Sequence, residues 1–97
     1  MTKGYWVSAY KEISDPEKLA AYAELAGPAI IKAGGKFLIR GIPAEAFEHG
    51  IKERTVVVEF ETIEAALNAH KSADYLKALE ALDDGAIRDF RIIGGIE

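Results

Sequence analysis

The sequence predicts one α+β domain, a four-stranded antiparallel sheet with its helices on one face, in the order strand-helix-strand-strand-helix-strand. Three observations predict it. Four stretches rich in β-branched and aromatic residues alternate with two stretches of helically spaced apolar residues. Capping and turn residues separate them. The 97 residues suit a single domain with no linker, repeat or low-complexity tract.

Residues 4–12 open the chain as a strand with large residues of both parities: Tyr5, Val7 and Ala9 on one side, Trp6, Ser8 and Tyr10 on the other. Asp15 then caps a helix, with Pro16 at its first position and Ser14 and Glu17 at capping-box spacing. Leu19, Tyr22, Ala23, Ala26, Ile30 and Ala33 form its apolar stripe. Pro28 predicts a kink or break, and Gly34-Gly35 the end. Residues 36–40 are the second strand. Residues 41–53 are a polar connection, with a short irregular strand expected around Ala46-Phe47. Residues 54–60 form the most β-branched strand. Thr62 caps a helix through His70, and Ser72 caps a second piece through Leu82 that Asp83-Asp84-Gly85 closes. Residues 86–93 are the fourth strand. With right-handed crossovers this order is the ferredoxin-like split βαβ arrangement.

Strand parity divides the sheet into two faces. Val7, Ala9, Phe37, Ile39, Val56, Val58, Phe60, Phe90 and Ile92 form the apolar set assigned to the helices. The other set carries Trp6, Ser8, Tyr10, Leu38, Arg40, Thr55, Val57, Glu59, Arg91 and Ile93. Left in water, that second set is a large apolar patch for a monomer, so a homodimer is expected. Its expected face is Trp6, Tyr10, Leu38, Val57, Glu59 and Arg91, with Arg40 or Arg91 pairing with Glu59.

Composition excludes several classes. The net charge of −4 argues against a nucleic-acid partner. No apolar run approaches the roughly 20 residues of a membrane span, and no apolar leader precedes the first strand, so a cytoplasmic protein is expected. With two His and no Cys, neither a metal site nor a haem or other cofactor is expected.

Gly4-Tyr5-Trp6, Asp15-Pro16, the run from Gly34 to Gly41, Val57-Val58-Glu59-Phe60 with Glu64-Ala65-Ala66, and Ser72-Ala73-Asp74-Tyr75 together resemble the domain of unknown function 1330 family. The resemblance covers nearly the whole chain. It implies the dimeric α+β barrel, in which two sheets face each other with helices outside. The wider superfamily includes cofactor-independent monooxygenases, small isomerases and haem-handling enzymes, but the family has no established activity. The chain departs from the family pattern at Ala73, where Pro is common, and near His70, where a bulky aromatic is common.

Four residues are candidates for a ligand pocket between helices and sheet. His70 lies on the helical side of Ile63, Ala66 and Leu67 and could exchange a proton near neutral pH. Its plainer reading is a helix-end residue that caps carbonyls. Arg40 could hold a carboxylate or enolate in its planar fork, or else pair with Glu59 or Glu45. Tyr22 and Tyr75 could donate to a ligand oxygen, or simply pack. Ser72 reads as a cap and not a nucleophile. The expected function is a homodimer that binds a small, mostly apolar organic molecule. Two alternatives stand beside it: a cofactor-independent monooxygenase or isomerase-like enzyme, and a structural dimer with no ligand.

Overall fold

The computed structural model describes residues 2–96. Its elements are β1 (Gly4–Ile13), α1 (Pro16–Lys32), β2 (Lys36–Gly41), β3 (Thr55–Phe60), α2 (Ile63–Lys71), α3 (Ala73–Leu82) and β4 (Ala86–Gly94). All strand pairs are antiparallel, in the order β2-β3-β1-β4. The Cα atoms span 37 × 33 × 16 Å. That slab is one sheet and one helical layer thick, which leaves the second face of the sheet uncovered within the chain.

The caps act where the sequence places them. Asp15 accepts from the amides of Glu17 and Lys18 at 3.1 and 3.2 Å. Thr62 accepts from Ala65, and Ser72 from Tyr75. The end of α1 is a Schellman motif: Gly34 donates to the Ile31 carbonyl and Gly35 to that of Ile30. Gly34 has φ +95°, which a side chain would strain.

Of the kink or break expected at Pro28 the break does not occur, and one further expectation about local structure is corrected. α1 runs without a break through Pro28. Glu24, whose carbonyl loses the amide bond that Pro28 cannot make, is exposed, so water can replace the missing donor. Around Ala46-Phe47 there is no strand; the segment runs over the surface with Phe47 75% exposed.

The faces of two strands are also corrected. Trp6 stands opposite Val58 and Ile92, and Ser8 opposite Val56 and Phe90. Trp6, Ser8 and Tyr10 therefore point toward the helices, and Trp6 and Tyr10 are not on the bare face. The reason is volume. α2 and α3 present Ala66, Ala69 and Ala78 to the sheet, and Val7 and Ala9 are too small to fill the space beneath them. In β2 the register shifts between Phe37 and Ile39. This bulge at Leu38 leaves Phe37 under the helices, moves Ile39 to the bare side and turns Arg40 toward the helices.

The core is aromatic. Trp6 packs with centroids 4.8 Å from Tyr75 and 5.2 Å from both Phe60 and Phe90. Its indole Nε1 donates to the Ala66 carbonyl at 2.8 Å, so the polar atom is satisfied inside the core. Gly4 lets β1 approach the start of α2 closely: a Cβ there would lie 2.5 Å from the Thr62 carbonyl oxygen.

A candidate binding cleft between the first helix and the sheet

α1 packs along α3, whereas α2 lies on β1, β3 and β4. The space between α1 and the far end of the sheet is a cleft enclosing about 40 Å³. Tyr22, Ala26 and Ile30 roof it; Ser8, Tyr10 and Val56 are on its floor.

Three arginines reach this cleft, one from β2, one immediately before β3 and one from β4: Arg40, Arg54 and Arg88. Cross-strand register gathers them at one end of the sheet. Tyr10 pairs with Arg88 on one side and donates its amide to the Arg54 carbonyl on the other. Arg40 pairs with Val56, two residues beyond Arg54. Among the described residues none of the three meets a carboxylate within ion-pair distance. They lie instead against aromatic faces: Arg40 4.7 Å from the Phe37 centroid, Arg54 5.8 Å and Arg88 5.6 Å from that of Tyr10.

Polar satisfaction is incomplete there. Ser8 is 4% exposed, and its Oγ has no hydrogen-bond partner among the described residues; the buried Nε of Arg54 has none either. Both residues line the cleft. Buried polar atoms are nearly always bonded, so an orphaned pair at one cavity marks a place where something else supplies the bonds.

The back wall is a hydrogen-bonded relay. Arg88 donates to the Tyr22 hydroxyl at 3.1 Å, and the Tyr22 and Tyr75 hydroxyls share a bond of 2.8 Å. Burial, reinforced by Tyr22, pushes the Tyr75 phenol well above its ordinary range, so it stays protonated. Burial works against the Arg88 charge, but the Tyr22 and Tyr75 oxygens outweigh it and the guanidinium is held more firmly protonated.

The sequence candidates separate. Arg40 and Tyr22 line the cleft. Tyr75 lies behind it, 1% exposed, and touches it through Tyr22. His70 does not line it; the imidazole packs at 5.2 Å from both Tyr75 and Phe90 and 5.8 Å from Trp6. Burial, then the Arg88 charge, hold it below its ordinary value, so it is neutral at pH 7. Sequence reasoning missed Ser8, Tyr10, Arg54 and Arg88. A signal existed: Arg54 and Arg88 share parity with Val56 and Phe90, already assigned beneath the helices.

On the bare face, Val57 and Glu59 stand where expected, beside Tyr5, Val7, Arg91 and Ile93. Leu38, Ile39 and Ile93 are about half exposed there. Glu59 accepts from the Tyr5 hydroxyl at 3.1 Å and lies 3.9 Å from Lys3, and Arg91 pairs with Asp89. The expected pairing of Glu59 with Arg40 or Arg91 is not found among the described residues.

Comparison with known proteins places this architecture. A family model described as "Domain of unknown function (DUF1330)" matches residues 3–96. The chain belongs to that family. Among solved structures, it resembles a protein of unknown function from Rhodopseudomonas palustris (TM-score 0.72, 16% identity, 99% of this chain and 84% of that one). It also resembles SnoaB, a cofactor-independent oxygenase from Streptomyces nogalater (TM-score 0.63, 12% identity, 100% and 96%). A third is a nipsnap family protein of unknown function from Agrobacterium tumefaciens (TM-score 0.60, 13% identity, 100% and 89%). At such identities these matches bear on fold alone, and they share with this DUF1330 chain the ferredoxin-like α+β architecture. No curated protein matches the chain in sequence. Among the described residues no helix is long and apolar enough to cross a membrane, and no three His, Cys, Asp or Glu side chains cluster to hold a metal.

Proposed function

We propose that this DUF1330 protein is a homodimeric α+β barrel of the cytoplasm that binds a small organic molecule in the cleft between α1 and the sheet. The observation that carries the binding reading is the coincidence, in one cavity, of aromatic walls with the orphaned Ser8 Oγ and Arg54 Nε. The enclosed volume of about 40 Å³ is far below the several hundred of a drug-sized pocket, so the chain encloses only the end of its ligand.

The homodimer rests on the bare face. Val7, Leu38, Ile39, Val57 and Ile93 form an apolar patch on a sheet that no helix of the chain covers. A second copy of the same face removes it from water with two-fold symmetry. Light scattering of the purified 10.6 kDa chain is expected to give twice that mass, and Val57→Asp to halve it. A wild-type protein that stays monomeric at micromolar concentration refutes the dimer.

The oxygenase neighbour supports a second reading, cofactor-independent chemistry on the bound molecule. Its weakness is local. His70, the expected proton carrier, packs among aromatic rings away from the cleft. An enzyme here has to use the Tyr22 hydroxyl or the arginines, so turnover is expected to survive His70→Ala.

A further inference from the structure

Three guanidiniums converge on one small cleft of a chain whose net charge is −4. Acidic side chains outnumber basic ones, 16 to 12, yet among the described residues none has been placed beside Arg40, Arg54 or Arg88. Arg40 is exposed and solvated, but Arg54 and Arg88 are half-buried; aromatic faces offset part of the cost of holding those two charges, but a ring offers no in-plane lone pairs to a guanidinium fork. Arg54 and Arg88 even share one ring, that of Tyr10, which brings two like charges to a single site. Arg88 spends one N–H on Tyr22. Arg54 leaves its Nε unused inside the protein, and Ser8 offers a hydroxyl beside the same cavity.

Resting on the reading of the cleft as a binding site, the geometry points to an organic carboxylate as the ligand: its carboxylate group enters the cleft, accepts from Arg54 Nε and Ser8 Oγ, and is neutralised by Arg40, Arg54 and Arg88, while its apolar body lies at the mouth against aromatic side chains. A carboxylate fits the observations. It is planar and matches the guanidinium fork in a bidentate manner. Its headgroup suits an enclosed space of about 40 Å³. It supplies the counter-charge that the chain withholds.

The test uses three aromatic probes of similar size: benzoate, its neutral isostere benzamide, and phenyl phosphate. Trp6 is the one tryptophan of the chain and lines the cleft, so its emission reports occupancy beside titration calorimetry. Benzoate is expected to bind saturably and at least about tenfold more tightly than benzamide. Arg54→Gln is expected to erase that preference by weakening benzoate far more than benzamide. Arg54→Lys, which keeps the charge and loses the planar fork, is expected to retain part of it. Should Arg54→Gln fail to fold, the Lys variant and the ratio between probes in the wild type still decide. Equal binding of benzoate and benzamide overturns the carboxylate inference and leaves the binding cleft standing. Binding of phenyl phosphate without benzoate overturns it in favour of a phosphate ligand. Heat and emission unmoved by all three probes overturn both the inference and the cleft on which it rests.

Discussion

The helix-covered face of this sheet has two ends built on opposite terms. At one end Trp6, Phe60 and Tyr75 fill the space beneath the small residues of α2 and α3, and the one buried N–H among them finds the Ala66 carbonyl. At the other end, a turn further along the same strands, α1 roofs a cavity where Ser8 Oγ and Arg54 Nε find nothing. The same strands and the same pleat serve both. The difference lies above the sheet: alanines of α2 and α3 admit packed rings, whereas α1 leans on α3 and leaves the floor beneath it open. The closed end holds the fold, whereas the open end keeps polar atoms that have not been used for stability.

Substitutions at the two ends should therefore differ in sign as well as size. The largest effect is expected for Trp6→Ala. It removes the ring that touches Phe60, Tyr75 and Phe90 and the indole bond to the Ala66 carbonyl. A loss of about 3–5 kcal/mol in urea unfolding is expected, a large part of the stability of a small domain. A loss under about 1 kcal/mol would mean that the closed end is not the structural anchor.

Ser8→Ala is the opposite case. Its hydroxyl is buried without a partner, so deleting it should leave unfolding unchanged or raise stability by about 1 kcal/mol, while weakening benzoate binding. A clear destabilisation in the absence of ligand would show that the hydroxyl is bonded in the folded chain, and the contrast between the ends would collapse.

The smallest effect concerns pH. His70 sits among the rings of the closed end with its folded value below the ordinary 6.5. As pH falls through about 6.5 the unfolded chain takes up a proton that the folded chain refuses, so stability decreases on acidification and is regained on raising the pH. Melting temperatures measured from about pH 8 down to about pH 5 should show this slope, and His70→Phe, which keeps a ring and cannot titrate, should flatten it. An unchanged slope in that variant would place the titration elsewhere.

Much of this was legible along the chain. Asp15, Thr62 and Ser72 cap the helices because capping is a contact within three residues, and Gly34-Gly35 stop α1 for an equally local reason. The candidate site was legible only in part. Tyr22 and Arg40 line the cleft, yet their company of Ser8, Arg54 and Arg88 depends on which edge of each strand meets its neighbour. His70 misled because helical spacing gives a side, not a distance: its ring, carried by α2, lies beyond the wall formed by Trp6 and Tyr75.

The amino-acid order by itself determined the succession of elements, their caps and the alternation within each strand, since those follow from backbone geometry over a few residues. Only the tertiary structure decided which alternate set in β1 went under the helices, because that choice compares the volume of Trp6 with the room left by alanines far along the chain. It likewise decided the bulge at Leu38 that swings Arg40 inward, since a bulge exists only relative to a partner strand. The arginine cluster arises from those two decisions together.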